Sequence, residues 1–115
     1  MGRTPKGSPA LKPAWFHILV ALADGARHGY AIRRDVEERT DGAVRLYPAT
    51  LYGSIRELSE RGLIEALEGE SAPDEDQRRR SYQLTTEGRR ALKDEVARLQ
   101  ELLDQARATR ALGGT

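Results

Sequence analysis

The chain has 115 residues, which is enough for one domain that buries its own core without disulfide bonds or a structural metal. It contains no cysteine, which excludes disulfides and thiol nucleophiles, and His17 and His28 show no metal-ligand spacing. No apolar run approaches the roughly 20 residues of a membrane span, and no signal-peptide pattern is present. We therefore expect a soluble, cytoplasmic protein that needs no metal or other cofactor.

Charge is balanced overall but unevenly distributed along the chain. The 19 lysines and arginines and the 18 acids give a formal net charge of +1. Residues 1–12 carry only basic charges, residues 65–77 carry only acidic ones, and three consecutive arginines follow at positions 78–80. This clustering predicts a local surface for a negatively charged partner rather than a globally basic protein.

The first two helices are indicated by the residues at their ends. Residues 1–12 are rich in glycine and proline and predict a flexible basic arm, after which Pro13 suits the first turn of a helix. Asp24-Gly25 ends this helix, and a second helix runs from about His28 to about Thr40. The apolar residues of the first helix fall at helical spacing and are Trp15, Ile18, Leu19 and Leu22.

A third helix begins at Tyr47-Pro48 and ends at Arg61-Gly62. Its residues Leu51, Ile55 and Leu58 step by four and three, so they share one face that packs on the core. The other face is predicted to present hydroxyls, one arginine and a glycine that lets the backbone approach a partner, namely Thr50, Tyr52, Gly53, Ser54 and Arg56. Tyr47, at the start of this helix, is predicted to contact the same partner. An alternative is that Tyr47 and Tyr52 cover an edge of the core.

A change to alternating polarity predicts two strands after the third helix. The first strand covers residues 63–68, and Arg80, Tyr82 and Leu84 alternate with polar residues in the second. The acidic segment 70–77 between them predicts the loop of a long β-hairpin. The guanidinium groups at the root of the hairpin, which can reach phosphates or a narrow minor groove, are those of Arg78, Arg79 and Arg80. Taken alone, three such arginines also fit a solvated turn.

The last helix is predicted over residues 85–110 and is followed by a disordered tail, 111–115. Thr85 or Thr86 caps it, with Glu87 in the first turn. Its apolar residues are spaced four and three apart in a heptad seam that consists of Leu92, Val96, Leu99, Leu103 and Ala106. About 24 residues would span about 36 Å, which is more than a small domain covers, so the seam predicts a dimer. The alternative is that the seam packs on its own domain.

Three short helices, a hairpin and a long helix are the order of elements in a winged helix-turn-helix protein. The expected fold is therefore mainly α with a small β-hairpin: a DNA-binding domain over residues 13–84, followed by a C-terminal dimerisation helix. A third helix of about 10–12 Å diameter fits the major groove, and its first residues can reach base edges.

Four segments of the chain resemble the PadR family of bacterial transcriptional regulators. They are His28-Gly29-Tyr30-Ala31-Ile32, Tyr47-Pro48-Ala49-Thr50-Leu51-Tyr52-Gly53-Ser54-Ile55, Gly62-Leu63-Ile64 and Arg80-Ser81-Tyr82-Gln83-Leu84-Thr85-Thr86-Glu87-Gly88. The resemblance extends over about residues 13–108, and the combination is specific although each segment alone is weak. It implies a homodimeric repressor with a wing, a recognition helix and a C-terminal dimerisation helix.

The resemblance also implies an effector, because members of this family often respond to phenolic acids or hydrophobic drugs. Some of the smaller members hold flat aromatic ligands between aromatic side chains at the dimer interface. The last helix of this chain has no aromatic residue, so Trp15, the only tryptophan, is the candidate stacking platform. Its alternative role is a plain core or interface anchor.

Together these patterns predict a DNA-binding transcriptional regulator and no enzyme, since no paired acids, nucleophile–base set or phosphate loop is present. The expected form is a homodimeric repressor on a near-palindromic operator, with release by a small aromatic or hydrophobic effector. The alternative is a winged-helix protein-interaction module without an operator of its own, which the near-zero net charge favours.

Overall fold

The computed structural model describes residues 10–67 and 80–113. The elements in chain order are α1 (Pro13–Ala21), β1 (Arg27–His28), α2 (Gly29–Arg39), α3 (Pro48–Glu60), β2 (Ile64–Ala66), β3 (Ser81–Leu84), α4 (Thr86–Arg107) and a short 3-10 helix (Arg110–Leu112). The predicted class is confirmed, since four helices accompany one small antiparallel sheet. Within the described ranges, no helix is both long and apolar enough to cross a membrane.

Proline and glycine set the predicted helix boundaries. Pro13 and Pro48 stand at the first positions of α1 and α3, where the missing N–H costs no helical hydrogen bond. Gly62 follows α3 with φ +76°, a left-handed conformation that ends the helix and that glycine adopts without strain.

The sheet has three strands in the order β1-β3-β2. The predicted hairpin is present, with Ile64 opposite Leu84 and Ala66 opposite Tyr82. The strand β1 was not predicted from the sequence, because two residues cannot show an alternating pattern. It pairs Arg27 with Tyr82, so the segment before α2 is joined to β3, which we call the wing strand. The predicted acidic loop, 70–77, lies outside the described residues.

The core is formed by α1 together with one face of each other helix and the sheet. The residues at its centre are exposed by 2% or less of their surface and are Ile18, Leu19, Ala21, Leu22, Ile32, Val36, Leu51, Ile55, Leu58, Ile64 and Tyr82. Leu11 also packs in this core, so the expected flexible arm is too long at its C-terminal end. Residues 1–9 of that predicted arm lie outside the described part of the chain.

The first turn of α4 is fitted closely to the end of α3. The Thr85 hydroxyl caps α4 by accepting a hydrogen bond from the Gly88 N–H (3.0 Å), and it donates to the Gly62 carbonyl (2.6 Å). A Cβ atom on Gly88 would lie 1.9 Å from the carbonyl oxygen of Leu63. The segment Thr85–Gly88 therefore docks α4 onto the chain that leaves α3, and this docking requires glycine.

The second half of α4 extends beyond the domain. The helix has 22 residues, or about 33 Å at 1.5 Å per residue, and its buried residues end at Glu95. It ends at Arg107 rather than at the predicted 110, and the 3-10 helix that follows includes positions 111–112 of the predicted tail. About half of this long helix thus contains no fully buried residue.

Candidate nucleic-acid interface

One face of α3 packs on the core, and this packing fixes the orientation of the helix. Leu51, Ile55 and Leu58 are each 1% exposed or less and pack on α1 and its neighbours, as predicted. The placement of Ser54 on the outward face is wrong, because its exposed fraction is only 6%. Ser54 is three residues after Leu51, so helical geometry turns it toward the core as well.

The outward face of α3 presents the other predicted residues. Thr50 and Arg56 are exposed, one turn before and one turn after Gly53. A Cβ atom added to Gly53 would have no heavy atom within 4 Å, and the residue has no positive φ. Neither space nor backbone conformation in this chain therefore requires glycine at position 53, although glycine costs about 1 kcal/mol relative to alanine inside a helix.

The two tyrosines near α3 have different surroundings. Tyr47, the residue before the helix, is 65% exposed, and its side chain makes no capping hydrogen bond. Tyr52 is half-buried and packs against the core, which agrees with the alternative of a core edge. We call this side of the molecule the α3 surface, which consists of the exposed residues Tyr47, Thr50 and Arg56 and the half-buried Gly53.

At the root of the wing, only one of the three predicted arginines lies in the described residues. Arg80 is half-buried and hydrogen-bonds the side chain of Tyr82. Burial raises the pKa of Tyr82 above its usual value, and the charge and hydrogen bond of Arg80 oppose that rise. Arg78 and Arg79, which the sequence predicts as phosphate contacts, lie outside the described ranges.

The structure adds a pair of aromatic rings that the sequence did not single out. His28 and Tyr30 stack with ring centroids 5.7 Å apart and an interplanar angle of 11°. His28 Nδ1 lies 2.9 Å from the Ser81 hydroxyl, which connects the start of α2 to the wing strand. Tyr30 is 47% exposed beside this contact. In the sequence, the signal for this pair is that two aromatic rings flank Gly29.

Trp15, the candidate effector platform, is 5% exposed and lies in the core. The Lys12 ammonium and the Arg61 guanidinium each lie 4.9 Å from its ring centroid. Its indole N–H has no hydrogen-bond partner within the described residues. In the single chain the geometry thus fits the alternative of a core anchor, and a stacked ligand would need space that these cations now occupy.

The heptad seam of α4 is divided between two environments. Leu92 is 9% exposed and belongs to the core of its own domain, which corrects its assignment to a dimer interface. Val96 and Leu103 are exposed by 51% and 42%, while Leu99 and Ala106 are half-buried. Leu102, which lies beside the seam and was not predicted as part of it, is 46% exposed. We call these exposed and half-buried residues the α4 stripe, which consists of Val96, Leu99, Leu102, Leu103 and Ala106.

The helices and the small antiparallel sheet define a class of fold, the winged helix-turn-helix. A family model for the PadR-like transcriptional regulators matches residues 18–94, which is most of the chain. The chain belongs to this family, and it is therefore a transcriptional regulator and not an enzyme, as the sequence predicted.

Individual proteins are similar to this chain over most of its length. An uncharacterised 37.1 kDa protein in the transposon TN4556 of Streptomyces fradiae is 39% identical over 79 residues, which are 69% of this chain but only 21% of that protein. A transcriptional regulator from Clostridium thermocellum superposes with a TM-score of 0.66 at 28% identity, over 81% of this chain and 84% of the other. Bacillus subtilis PadR, solved in complex with operator DNA, has a TM-score of 0.62 at 21% identity, over 74% and 47% of the two chains.

Proposed function

We propose that the chain is a homodimeric repressor that binds a near-palindromic DNA operator through the α3 surface. The observation that carries this proposal is on the outward face of α3, where a Cβ atom on Gly53 would meet open space, so the fold does not require glycine there. A helix keeps such a glycine at a cost in stability, which is understandable where another molecule must approach the backbone.

The surroundings of Gly53 fit a nucleic acid. Thr50 and Arg56, one turn to either side, are exposed and supply a hydroxyl and a guanidinium, both of which bind base edges or phosphates. Tyr47 adds an exposed phenol at the helix start, the end that reaches bases in this class of protein. Bacillus subtilis PadR, which has a similar fold, was solved in complex with operator DNA, and this supports DNA as the partner.

A dimer is supported by the α4 stripe. Three of its residues are exposed by more than 40%, and large contiguous apolar surfaces are uncommon on monomers. A symmetric dimer through α4 would place two copies of α3 about 34 Å apart, which is one turn of DNA. The operator is then expected to contain two inverted half-sites, each contacted by one α3 surface.

The test begins with a random duplex library, from which the purified chain selects its own binding sequence. Fluorescence anisotropy at several salt concentrations then measures affinity for that duplex and for a scrambled one. We expect a two-part inverted sequence, bound at least about 1,000-fold more tightly than the scrambled duplex, with affinity that falls as salt rises. Absence of sequence selection and of salt dependence would support the alternative of a protein-interaction module, which the net charge of +1 favours.

Release by an aromatic or hydrophobic effector stays a prediction. A ligand that stacks on Trp15 must displace Lys12 or Arg61 or enter from the partner side of a dimer. Titration of planar aromatic compounds against the emission of this single tryptophan tests the idea. An unchanged spectrum across a panel of phenolic acids and drugs would contradict it.

A further inference from the structure

Glu95 is a charged side chain that the fold buries. It lies on α4 with 4% of its surface exposed, and it is the one buried carboxylate in residues 10–67 and 80–113. Removing a carboxylate from water is costly unless hydrogen bonds and an opposite charge compensate it. Its partners therefore indicate what this position holds together.

Two groups compensate Glu95, and one of them comes from the other end of the chain. The Arg98 guanidinium donates to both carboxylate oxygens from one turn further along α4, with 3.0 Å between Nε and Oε1. The backbone N–H of Leu11, 84 residues away, donates to Oε1 at 3.4 Å. Glu95 thus holds the segment that leads into α1 against the middle of α4.

The next residue of that segment contacts α3. The Lys12 ammonium lies 3.8 Å from the Glu57 carboxylate of α3. It also lies 4.9 Å from the ring centroid of Trp15, as does the guanidinium of Arg61, the residue that follows α3. Residues 11 and 12 therefore join α4, through Glu95, to the C-terminal end of the recognition helix.

Buried ion pairs add little net stability, since apolar residues of similar volume often replace them without loss, and their best-attested use is to fix a register. The location of this pair fits that use, because Val96 and Leu99 of the α4 stripe adjoin it in sequence. We infer that Glu95 is a positioning residue for operator recognition: it fixes the direction of α4 relative to α3, and so the separation of the two recognition helices in the dimer. This inference rests on the proposed function.

The test compares substitutions of two ion pairs on the same helix. Glu95→Leu removes the buried carboxylate, and Glu95→Gln keeps an acceptor for the Leu11 N–H while removing the charge. Glu87 and Arg90 form a pair of the same i,i+3 spacing at 3.8 Å, with both side chains more than 60% exposed. Glu87→Leu is therefore the matched control.

Each folded variant is measured against the duplex that the wild-type chain selects, and against duplexes whose spacer between half-sites is one or two base pairs longer or shorter. Circular dichroism establishes folding, and sedimentation establishes the dimer. We expect the wild type and Glu87→Leu to prefer one spacer, and Glu95→Leu to lose about 2- to 30-fold of that preference. If Glu95→Leu does not fold, Glu95→Gln is expected to show a smaller loss in the same direction.

The readout separates positioning from a merely structural role. A folded, dimeric Glu95 variant that keeps the wild-type ratio between spacers would overturn the inference, even if its affinity fell equally for every duplex. A wild-type chain that selects no two-part sequence would contradict the proposed function and the inference with it. That result appears in the wild-type selection alone, so the two failures are distinguishable.

Discussion

Gly88 in the first turn of α4 and Gly53 in the middle of α3 occupy helical positions with opposite surroundings. A Cβ atom at position 88 would lie 1.9 Å from the Leu63 carbonyl oxygen, whereas one at position 53 would meet no heavy atom within 4 Å. The fold of the single chain therefore accounts for the first glycine and not for the second. Gly53 costs stability and the fold does not require it, so we infer that a partner contacts this position.

The two halves of α4 differ in the same way. Gly88, Ala91, Leu92 and Glu95 are buried by the domain itself, whereas three residues of the α4 stripe that follows are more than 40% exposed. The first half of the helix is thus explained by its own fold. The second half and the α3 surface are the regions whose residues need another molecule to explain them.

The largest effect is expected where the fold requires glycine. Gly88→Ala should lower the free energy of unfolding by about 3 kcal/mol or more, because its methyl group overlaps the Leu63 backbone and α4 must move away. Urea denaturation measures the change. Wild-type stability in Gly88→Ala would show that α4 is not fitted to the end of α3 in this way.

A substitution in the α4 stripe should separate folding from assembly. Leu99→Asp places an unpaired carboxylate on the stripe, where burial in a dimer without a compensating charge is costly. We expect a monomer in analytical ultracentrifugation that has also lost operator binding, since a single half-site contact is weak. Gln105→Asp adds the same charge at an exposed position of α4 and should stay dimeric. A folded, dimeric Leu99→Asp would place the dimer contact elsewhere.

A hydroxyl on the α3 surface should affect specificity. Thr50→Ala should cost about 1–3 kcal/mol of operator binding while affinity for scrambled DNA changes little, because base contacts contribute only on the correct sequence. Ser59→Ala removes an exposed hydroxyl from the last turn of α3 and serves as the control. Equal losses on both duplexes would contradict base recognition by Thr50, and competition anisotropy distinguishes the two results.

The buried carboxylate should give a smaller, pH-dependent effect. The hydrogen bond from Arg98 lowers the pKa of Glu95 below its usual value against the opposing effect of burial, and the Leu11 N–H and the Arg98 charge act with it. A lowered pKa in the folded state adds stability above the unfolded pKa, and this stability is lost as pH falls through the folded pKa. Glu95→Gln should therefore lose less stability than wild type on acidification, measured by urea midpoints. A parallel decline in both proteins would contradict this.

Local sequence signals predicted most of the fold because each helix carries its own boundary chemistry. Pro13 and Pro48 restrict the backbone directly, and Gly62 permits the left-handed conformation that ends α3, so these effects do not depend on distant residues. The strand β1 was missed because its two residues form a strand only by pairing with β3. The burial of Glu95 was missed for a similar reason, since the N–H that it binds lies 84 residues away.

The candidate site was predicted less completely than the fold. Thr50 and Arg56 are exposed as expected. Ser54 was predicted to face outward because it is polar, but it is buried because it follows Leu51 by three positions and so shares the core face of the helix. Tyr52 packs on the core because an aromatic ring at the edge of a helix can extend over the apolar face. Side-chain chemistry alone does not distinguish these positions, whereas their angle around the helix does.

Gly53→Ala distinguishes an α3 face shaped for DNA from one shaped by the fold. Alanine fits the open space, so we expect a rise of about 0.5–1 kcal/mol in the free energy of unfolding from improved helix propensity. We expect in the same protein a weaker affinity for the selected operator, because the added methyl group lies where the DNA approaches. A variant that is more stable and binds the operator as tightly as wild type would show that the outward face of α3 is not shaped for DNA.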